Sequence, residues 1–353
     1  MRILVNDLAA SASGALSVLE SFYQYVREND NENEYVFLLS GDYLEETERI
    51  KVRIIPEVKK SGFHKLYFDL LSGKKILNQY NPDYVISLQN ILTFGYKGKQ
   101  AVFVHQAIPF QNRKRFSFLK KDERAYAFIQ TVVGYFIKKS IEKADLVFVQ
   151  TEWMKRAIIE MCSVSESVVN VVQTKNNICS EYTYRESKNV FFYPAAFENI
   201  YKNQECIYAA TESLFNEGIR DFKVLLTLNN HSPKKGCEFI GLLYKEELYK
   251  KYSETVLVFP SFIETVGLPL VEAMSVGSII FSADCEYAHE VLNGYSNAYF
   301  FDPLNSKELA DLMKLSIEGK INYNPIGNQS KIPFNHSGWT LLMDKVRTNV
   351  GEN

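Results

Sequence analysis

Two acidic residues in the carboxyl-terminal third of the chain have a spacing that suits a phosphate-bearing ligand. Glu264 and Glu272 are separated by seven residues, where a short apolar run gives way to a helical pattern. Gly267 marks the entry into a helix that we expect to begin near Leu270. Because the first N–H groups of a helix have no partner inside it, this start favours an anion such as a diphosphate. A solvated loop and helix start is the alternative interpretation.

Further polar or small residues follow predicted strands, where ligands collect in α/β folds. Lys202 and Asn203 come after the strand predicted over 190–194, and a solvated loop end is the alternative for a lone lysine. The run Ser11-Ala-Ser-Gly-Ala15 follows the first strand without forming GxGxxG, and a plain helix start is its alternative. His105 closes the strand predicted over 101–105, and a purely structural histidine is the alternative there.

The elements that position these residues alternate short apolar runs with longer helical patterns, the rhythm of βαβ units and a parallel sheet. This rhythm stops at the polar stretch 173–189 and then restarts, which predicts two doubly wound, Rossmann-like domains facing a cleft. The predicted strands are 3–5, 35–39, 53–55, 84–87, 101–105, 146–150, 190–194, 223–228, 238–242, 256–260 and 278–282, and the main helices are 15–27, 63–79, 125–143, 204–217, 245–252 and one from Leu270.

The domain boundaries follow from this rhythm. We place the first domain at 1–175, a linker at 176–189 and the second domain at 190–330. A last helix within 331–353 is expected to pack back toward the first domain.

Bulk composition excludes several classes of protein. A chain of 353 residues is long enough for two domains. Its net charge of −2 does not indicate a protein that binds nucleic acid through an overall positive charge. The five cysteines form no CxxC pair, which argues against a zinc site and a secreted disulfide framework. No stretch approaches the roughly 20 apolar residues that cross a bilayer, and residues 1–5 indicate a buried strand rather than a signal peptide. We therefore expect a cytoplasmic protein.

The run from Glu264 to Gly277 resembles the Glu-x7-Glu signature of glycosyltransferase family four, a large retaining family with the GT-B fold. Three flanking stretches resemble the family's neighbouring segments, so that the likeness covers about the last 150 residues. They are Phe239-Ile-Gly-Leu-Leu-Tyr-Lys-Glu-Glu-Leu248, Ser282-Ala-Asp-Cys-Glu-Tyr-Ala-His-Glu-Val291 and Tyr299-Phe-Phe-Asp-Pro303. Residues 191–203 resemble the first strand and loop of the family's donor domain, and the amino-terminal half matches more loosely.

The resemblance implies a role for each matching residue. Glu264 would lie beside the donor sugar as a catalytic residue, and Glu272 would accept hydrogen bonds from the ribose hydroxyls. His105 matches a histidine close to the transferred sugar and is the second catalytic candidate. The remaining candidates would bind other parts of the donor. Lys202 would bind the diphosphate together with its neighbour Asn203, and Gly14 and Ala15 would form the Gly-rich loop. The amide cradle would be Thr265, Val266, Gly267 and Leu268, and the base contact Leu243.

The chain departs from the family at one cation. The family commonly carries an arginine about five residues before the diphosphate-binding lysine, whereas this chain has Ala195-Ala-Phe197 there. Lys234 or Lys235 is a candidate substitute.

The implied reaction moves a hexose-type sugar from a nucleotide diphosphate donor to a glycan or lipid-linked acceptor, in surface polysaccharide biosynthesis. We expect retention by front-face attack, with the departing phosphate accepting the acceptor's proton, and no cofactor or divalent metal. The amino-terminal domain would bind the acceptor and the carboxyl-terminal domain the donor. The nucleobase stays open among UDP, GDP, dTDP and ADP.

A basic and aromatic segment, residues 110–139, suggests a peripheral membrane contact. It holds eight cations interleaved with aromatic residues against only Asp122 and Glu123, a composition that suits an anionic interface. A solvated face over ordinary core aromatics is the alternative.

Two other functions remain open at this point. A non-catalytic sugar-nucleotide-binding scaffold would keep the fold without turnover, and the missing arginine favours it. A GT-B sugar-nucleotide epimerase would interconvert donors without an acceptor. A nicotinamide dehydrogenase is disfavoured because no GxGxxG follows a strand.

Overall fold

The computed structural model describes residues 1–10, 13–174, 181–195, 197–229, 232–325 and 338–351, with only the backbone of 13 and 14. The chain forms two compact units, one of Met1–Lys175 with His336–Asn353 and the other of Asn176–Asn335. Each unit is built on a parallel β-sheet with helices packed on it. The fold is therefore the two-domain, Rossmann-like α/β fold expected from the sequence.

The first unit contains a seven-stranded sheet in the order β3-β2-β1-β4-β5-β6-β7. Every position of its central strands is buried apart from Arg2, which fits the near-continuous apolar runs of a sheet covered on both faces. The strands are β1 (Arg2–Asp7), β2 (Glu34–Leu39), β3 (Ile50–Ile54), β4 (Tyr84–Ser87), β5 (Gln100–Phe103), β6 (Leu146–Val149) and β7 (Val169–Val171).

Two of the helical runs on the first sheet each contain a π-helical turn. One turn, Phe68–Ser72, joins α2 to α3, and the other, Ile129–Val133, joins α4 to α5. The helices of this unit are α1 (Ser13–Asn29), α2 (Gly62–Tyr67), α3 (Gly73–Tyr80), α4 (Arg124–Phe128), α5 (Gly134–Lys143) and α6 (Glu152–Cys162).

The second unit contains a six-stranded sheet in the order β10-β9-β8-β11-β12-β13. Its strands are β8 (Val190–Tyr193), β9 (Lys223–Leu226), β10 (Cys237–Phe239), β11 (Val256–Phe259), β12 (Ile280–Ala283) and β13 (Ala298–Phe301). Its helices are α7 (Gln204–Asn216), α8 (Lys245–Glu254), α9 (Leu268–Val276), α10 (Glu286–Val291) and α11 (Ser306–Ile317).

The last helix, α12 (Trp339–Val350), completes the core of the first unit although it follows the second in sequence. Trp339 is 1% exposed, and its indole Nε1 donates to Ser21 Oγ at 2.9 Å. Its ring packs 5.0 Å from the ring of Phe22 and 5.7 Å from that of Phe103, measured between centroids. This helix is thus an integral part of the first hydrophobic core.

The order of strands reverses once in each sheet, and this places the loops that can hold a ligand. The reversal lies between β1 and β4 in the first unit and between β8 and β11 in the second. The loops that follow those strands leave in opposite directions and open a crevice at the carboxyl edge of the sheet.

The structure moves several predicted boundaries. The helix expected from Leu270 begins at Leu268, because Pro269 is compatible with a first turn and Gly267 caps it with φ +77°. The strand expected to end at His105 stops at Phe103, and the one expected over 238–242 covers Cys237–Phe239.

The structure describes only the later part of the predicted linker. Residues 175–180 lie outside the described residues. Tyr184 is 6% exposed and its amide donates to Val276 O at 2.8 Å, so the segment after 180 is packed into the second unit. Residues 331–337 of the expected last segment likewise lie outside the described residues. None of the helices within the described ranges has the length and apolar character to cross a membrane.

Candidate functional site

An ion pair stands where the two loops of the second crevice meet. Lys202, after β8, and Glu264, after β11, approach to 2.5 Å between Nζ and Oε1. Their side chains are 26% and 15% exposed, so the pair is partly screened from water yet reachable by a ligand. The same carboxylate oxygen accepts a 2.7 Å hydrogen bond from Ser261 Oγ. Because an ammonium group has three donors, Lys202 can hold Glu264 and a phosphate oxygen together.

Hydrogen bonds to backbone carbonyls fix the position of both loops. The Phe262 amide donates to Tyr201 O at 2.9 Å, and Tyr287 Oη donates to Ser261 O at 2.5 Å. Asn203 adopts φ +62°, and its Nδ2 donates to Pro260 O at 3.2 Å and Pro303 O at 2.8 Å. The Asn203 side chain therefore braces the two loops, and its contact with the donor stays a prediction.

The start of α9 presents backbone donors beside this ion pair. Val266, Gly267 and Leu268 donate no backbone hydrogen bond to any described part of the chain. A Cβ on Gly267 would lie 3.0 Å from the buried Tyr287 ring, and its φ of +77° disfavours other residues. Thr265 precedes these three residues, whose N–H groups together with the positive end of the helix suit an anion.

Glu272 lies in the second turn of α9, and Tyr252 orients its carboxylate. Tyr252 Oη donates to Glu272 Oε2 at 2.8 Å. Burial raises the pKa of Glu272 above its ordinary value of 4.5, while the Tyr252 hydrogen bond and the charge of Lys245 act in the opposite direction. The other carboxylate oxygen can accept hydrogen bonds from a ligand hydroxyl.

The remaining donor-side predictions lie in other segments of the second unit. Leu243 is half-buried in the segment between β10 and α8. Lys234, one of the candidate substitutes for the arginine, lies with Nζ 4.7 Å from the centroid of the Tyr208 ring. The Ala196 position, in the stretch where the family carries its arginine, lies outside the described residues.

His105 lies just beyond β5 in the first unit and is held from two sides. Its amide donates to Asn90 Oδ1 at 2.6 Å, and its Nδ1 lies 3.4 Å from Gln150 Oε1. Burial lowers the pKa of His105 to about 4, so the ring is neutral at pH 7. Its Nε2 atom is buried and has no hydrogen-bond partner within the described ranges. A buried ring nitrogen in this state is suited to a hydrogen bond with a ligand hydroxyl.

Gly14 and Ala15 lie in the first turn of α1. Ser11 and Ala12 of the expected Gly-rich loop lie outside the described residues. Asp7, at the end of β1, is 2% exposed, and burial raises its pKa to about 8. Asp69 and Gln89 are also buried at this edge of the sheet. An acidic residue after an apolar strand was visible in the sequence, but its burial was not.

The basic and aromatic segment divides between core and surface. Phe110 and Phe116 are buried, whereas Phe118, Phe128 and Tyr135 are 51%, 41% and 57% exposed. The buried aromatics fit the core interpretation for their part of the segment, and the membrane contact stays a prediction.

The second unit resembles a known protein family. Residues 183–332 match the family model described as glycosyl transferases group 1. The chain is 24% identical over 249 residues to the O-antigen chain mannosyltransferase RfbU of Salmonella typhimurium, covering 67% of this chain and 69% of that one.

Two solved structures share the fold across nearly the whole chain. Sucrose-phosphate synthase from Thermosynechococcus elongatus is similar with a TM-score of 0.72 at 13% identity, covering 99% of this chain and 98% of that one. Anabaena HepE in complex with UDP and glucose is similar with a TM-score of 0.65 at 16% identity, covering 99% and 100%.

Proposed function

We propose that this chain, which is a glycosyltransferase with the GT-B fold, retains anomeric configuration as it moves a hexose from a nucleotide diphosphate donor. We assign it to glycosyltransferase family four on the Glu-x7-Glu signature. The acceptor is a glycan or a lipid-linked glycan. The observation that carries the proposal is the Lys202–Glu264 pair beside the open amides of α9.

In this proposal, Lys202 and the amides from Val266 to Leu268 bind the diphosphate. Breaking the glycosyl–phosphate bond places negative charge on the leaving group, which preorganised donors stabilise more strongly in the transition state than in the ground state. In the absence of the family's usual arginine, Lys202 carries most of the local positive charge. We propose that no divalent metal is required, so that turnover persists in excess EDTA.

The two glutamates take the two ends of the donor. Glu272 accepts hydrogen bonds from the ribose diol, and charge-assisted bonds of this type are short and strong. Glu264 lies beside the sugar and is held by Lys202 and Ser261 at 2.5 and 2.7 Å. We do not assign Glu264 as a covalent nucleophile, because retaining glycosidases need a second carboxyl group about 5 Å away.

The proposed step is a front-face substitution. The acceptor oxygen forms the new bond to the anomeric carbon as the bond to the diphosphate oxygen breaks, and the acceptor proton passes to that departing oxygen. The neutral His105 accepts a hydrogen bond from a hydroxyl of the transferred sugar through Nε2. This orients the sugar without adding a charge that would oppose the developing oxocarbenium ion.

We propose a role in surface polysaccharide biosynthesis, by likeness to the O-antigen chain mannosyltransferase. A cytoplasmic enzyme acting on a lipid-linked acceptor benefits from a peripheral membrane contact, and the exposed aromatics of 110–139 beside its cations suit an anionic surface. Flotation with anionic liposomes at low salt tests this contact, and absence of binding removes it.

The test of the reaction is a thermal-shift panel of UDP-, GDP-, dTDP- and ADP-sugars, followed by donor hydrolysis with the one that binds. One nucleotide should stabilise the protein clearly, and Glu272→Ala should abolish that shift. Glu238→Ala, at a 55% exposed side chain of the same unit, is the matched control and should leave the shift intact. Binding without hydrolysis or transfer would support the scaffold alternative, and failure of every nucleotide would refute the donor assignment.

A further inference from the structure

A cavity of about 440 Å³ opens at the carboxyl edge of the sheet in the first unit. Its floor includes Ala9, after β1, and Gln89 and Ile91, after β4. These loops flank the reversal of strand order, where α/β sheets bind ligands. The walls come from the α2–α3 run on one side and the α4–α5 run on the other.

Most of the lining is apolar, and part of it faces water. Phe63 is 79% exposed, Phe128 is 41% exposed and Val132 is 36% exposed, and all three line the cavity. Ligand pockets of this size are typically apolar with a few placed polar groups. Side chains of this kind gain free energy when an apolar group covers them.

Both walls are locally distorted at the cavity. Asp69 belongs to the π-helical turn Phe68–Ser72, and Val132 and Val133 belong to the turn Ile129–Val133. Single π-turns within helices occur often at functional sites. Here two of them meet across one cavity.

Gln89, one of the residues that line the cavity, has a buried hydrogen-bond acceptor to which no described residue donates. Gln89 is 3% exposed, and its Nε2 donates to Asp69 Oδ1 at 2.9 Å. Lys65 Nζ takes the other Asp69 oxygen at 2.8 Å. This arrangement fixes the amide, because its reversal would set Gln89 Oε1 against a carboxylate oxygen. Gln89 Oε1 is buried and has no partner within the described part of the chain. A buried acceptor of this kind requires a donor such as a hydroxyl.

We infer that this cavity binds the acceptor, and that the acceptor is an amphiphile whose hydroxyl-bearing head donates to Gln89 while its apolar chain covers the α2 and α4–α5 walls. The assignment of the bound amphiphile as the acceptor rests on the proposed transferase function. The site itself rests on the cavity, its exposed apolar walls and the unpaired amide oxygen.

The experiment is a calorimetric titration of the full chain with methyl, butyl, hexyl and octyl β-D-glucopyranoside, each below its critical micelle concentration. Affinity should rise by as much as roughly fourfold for each methylene buried and then level off when the cavity is full. A series in which affinity does not depend on chain length would overturn the inference.

Two variants separate the chain from the head. Val132→Trp fills the cavity from a partly exposed position and should flatten the dependence on chain length. Gln89→Leu should weaken every member of the series by about threefold to tenfold and leave the dependence on chain length unchanged. Leu341→Trp, at a 43% exposed position on α12, is the control and should match the wild type. Equal effects of Val132→Trp and Leu341→Trp would refute the assignment of the cavity.

Donor hydrolysis distinguishes this inference from the proposed function. The wild type and Leu341→Trp, whose substitution lies outside the cavity, should hydrolyse the donor at similar rates in the absence of acceptor. Chain-length-dependent binding without any donor use would support the cavity as a binding site and refute the transferase chemistry. Donor use with no dependence of binding on chain length would support the transferase chemistry and refute the cavity as the binding site.

Discussion

Replacement of Lys202 by methionine is the most direct probe of the proposed chemistry. The substitution keeps most of the apolar stem and removes the ammonium group that lies 2.5 Å from Glu264 Oε1. It changes two things at once. The leaving diphosphate loses a cation. Glu264 loses its ion pair with Lys202 and keeps the 2.7 Å hydrogen bond from Ser261 Oγ.

The two losses have different magnitudes and appear in different measurements. Removal of one preorganised donor from a developing oxyanion lowers turnover by about 10²–10³, or about 2.7–4 kcal/mol. The Glu264 side chain is 15% exposed, so loss of its partner should cost roughly 1–2 kcal/mol of unfolding free energy. For a unit of this size that corresponds to a melting temperature lower by roughly 2–8 °C.

The assay is a transfer or donor-hydrolysis rate measured under saturating donor, together with thermal unfolding of the same samples. Lys223→Met is the matched control, because Lys223 pairs with Glu238 at 3.5 Å in the same unit with both side chains more than half exposed. That control should change neither measurement appreciably. The double variant Lys202→Met with Glu264→Gln should regain part of the lost stability, since no unpaired carboxylate remains, but not the lost turnover.

Two results would refute this reasoning. One is a Lys202→Met enzyme whose turnover stays within about threefold of the wild type. The other is an equal loss of turnover in Lys223→Met, which would mean that general electrostatics rather than the local pair supports the reaction.

Three more predictions follow from the pKa shifts and the unpaired ring nitrogen. Donor affinity should weaken as pH falls through the raised pKa of Glu272, and Glu272→Gln should remove that dependence, as measured by titration calorimetry; an unchanged pH profile contradicts the ribose assignment. Asp7 has a pKa near 8 in the folded protein against 3.8 ordinarily, so its burial lowers stability as pH rises between these values. The free energy of unfolding of Asp7→Asn, measured in urea, should therefore rise relative to that of the wild type by about 1.4 kcal/mol for each pH unit over that window, and should not rise below pH 4. A difference in unfolding free energy that does not change with pH would refute this prediction. His105→Ala should lower turnover roughly tenfold through loss of one hydrogen bond, and the wild-type rate should show no histidine titration between pH 5 and 8, because the pKa of His105 is about 4.

The alternation of apolar runs and helical patterns was sufficient to predict the fold. Buried strands such as β6 and β11 read as continuous apolar runs, and helices such as α1, α7 and α8 could be recognised from their periodicity, whereas α6, α10 and α11 were not predicted. The strand β7 was missed because three residues, Val169–Val171, give no periodic signal. The π-turns were equally invisible, since an extra residue in a helical turn leaves the composition of the helix unchanged.

The candidate site was predicted only in part. Lys202 and Glu264 are 62 residues apart, and only the strand order brings them into contact. Their pairing could therefore be suggested by resemblance but not by spacing. Asp7 was missed because its chemistry comes from burial, which is a property of the assembled core. The loop-bracing hydrogen bonds of Asn203 could not be predicted from the sequence either, because their acceptors, Pro260 and Pro303, lie 57 and 100 residues away in the chain.

The placement of α12 has a consequence for the way the protein is made. A ribosome releases β1 to β7 first, but the Trp339 side chain that fills their core is synthesised only after all of the second unit. At about 5–20 residues per second, the nascent first sheet waits on the order of ten seconds or more with the surfaces of Phe22 and Phe103 incompletely covered. The second unit can mature during translation, whereas the first is held open until its last helix emerges.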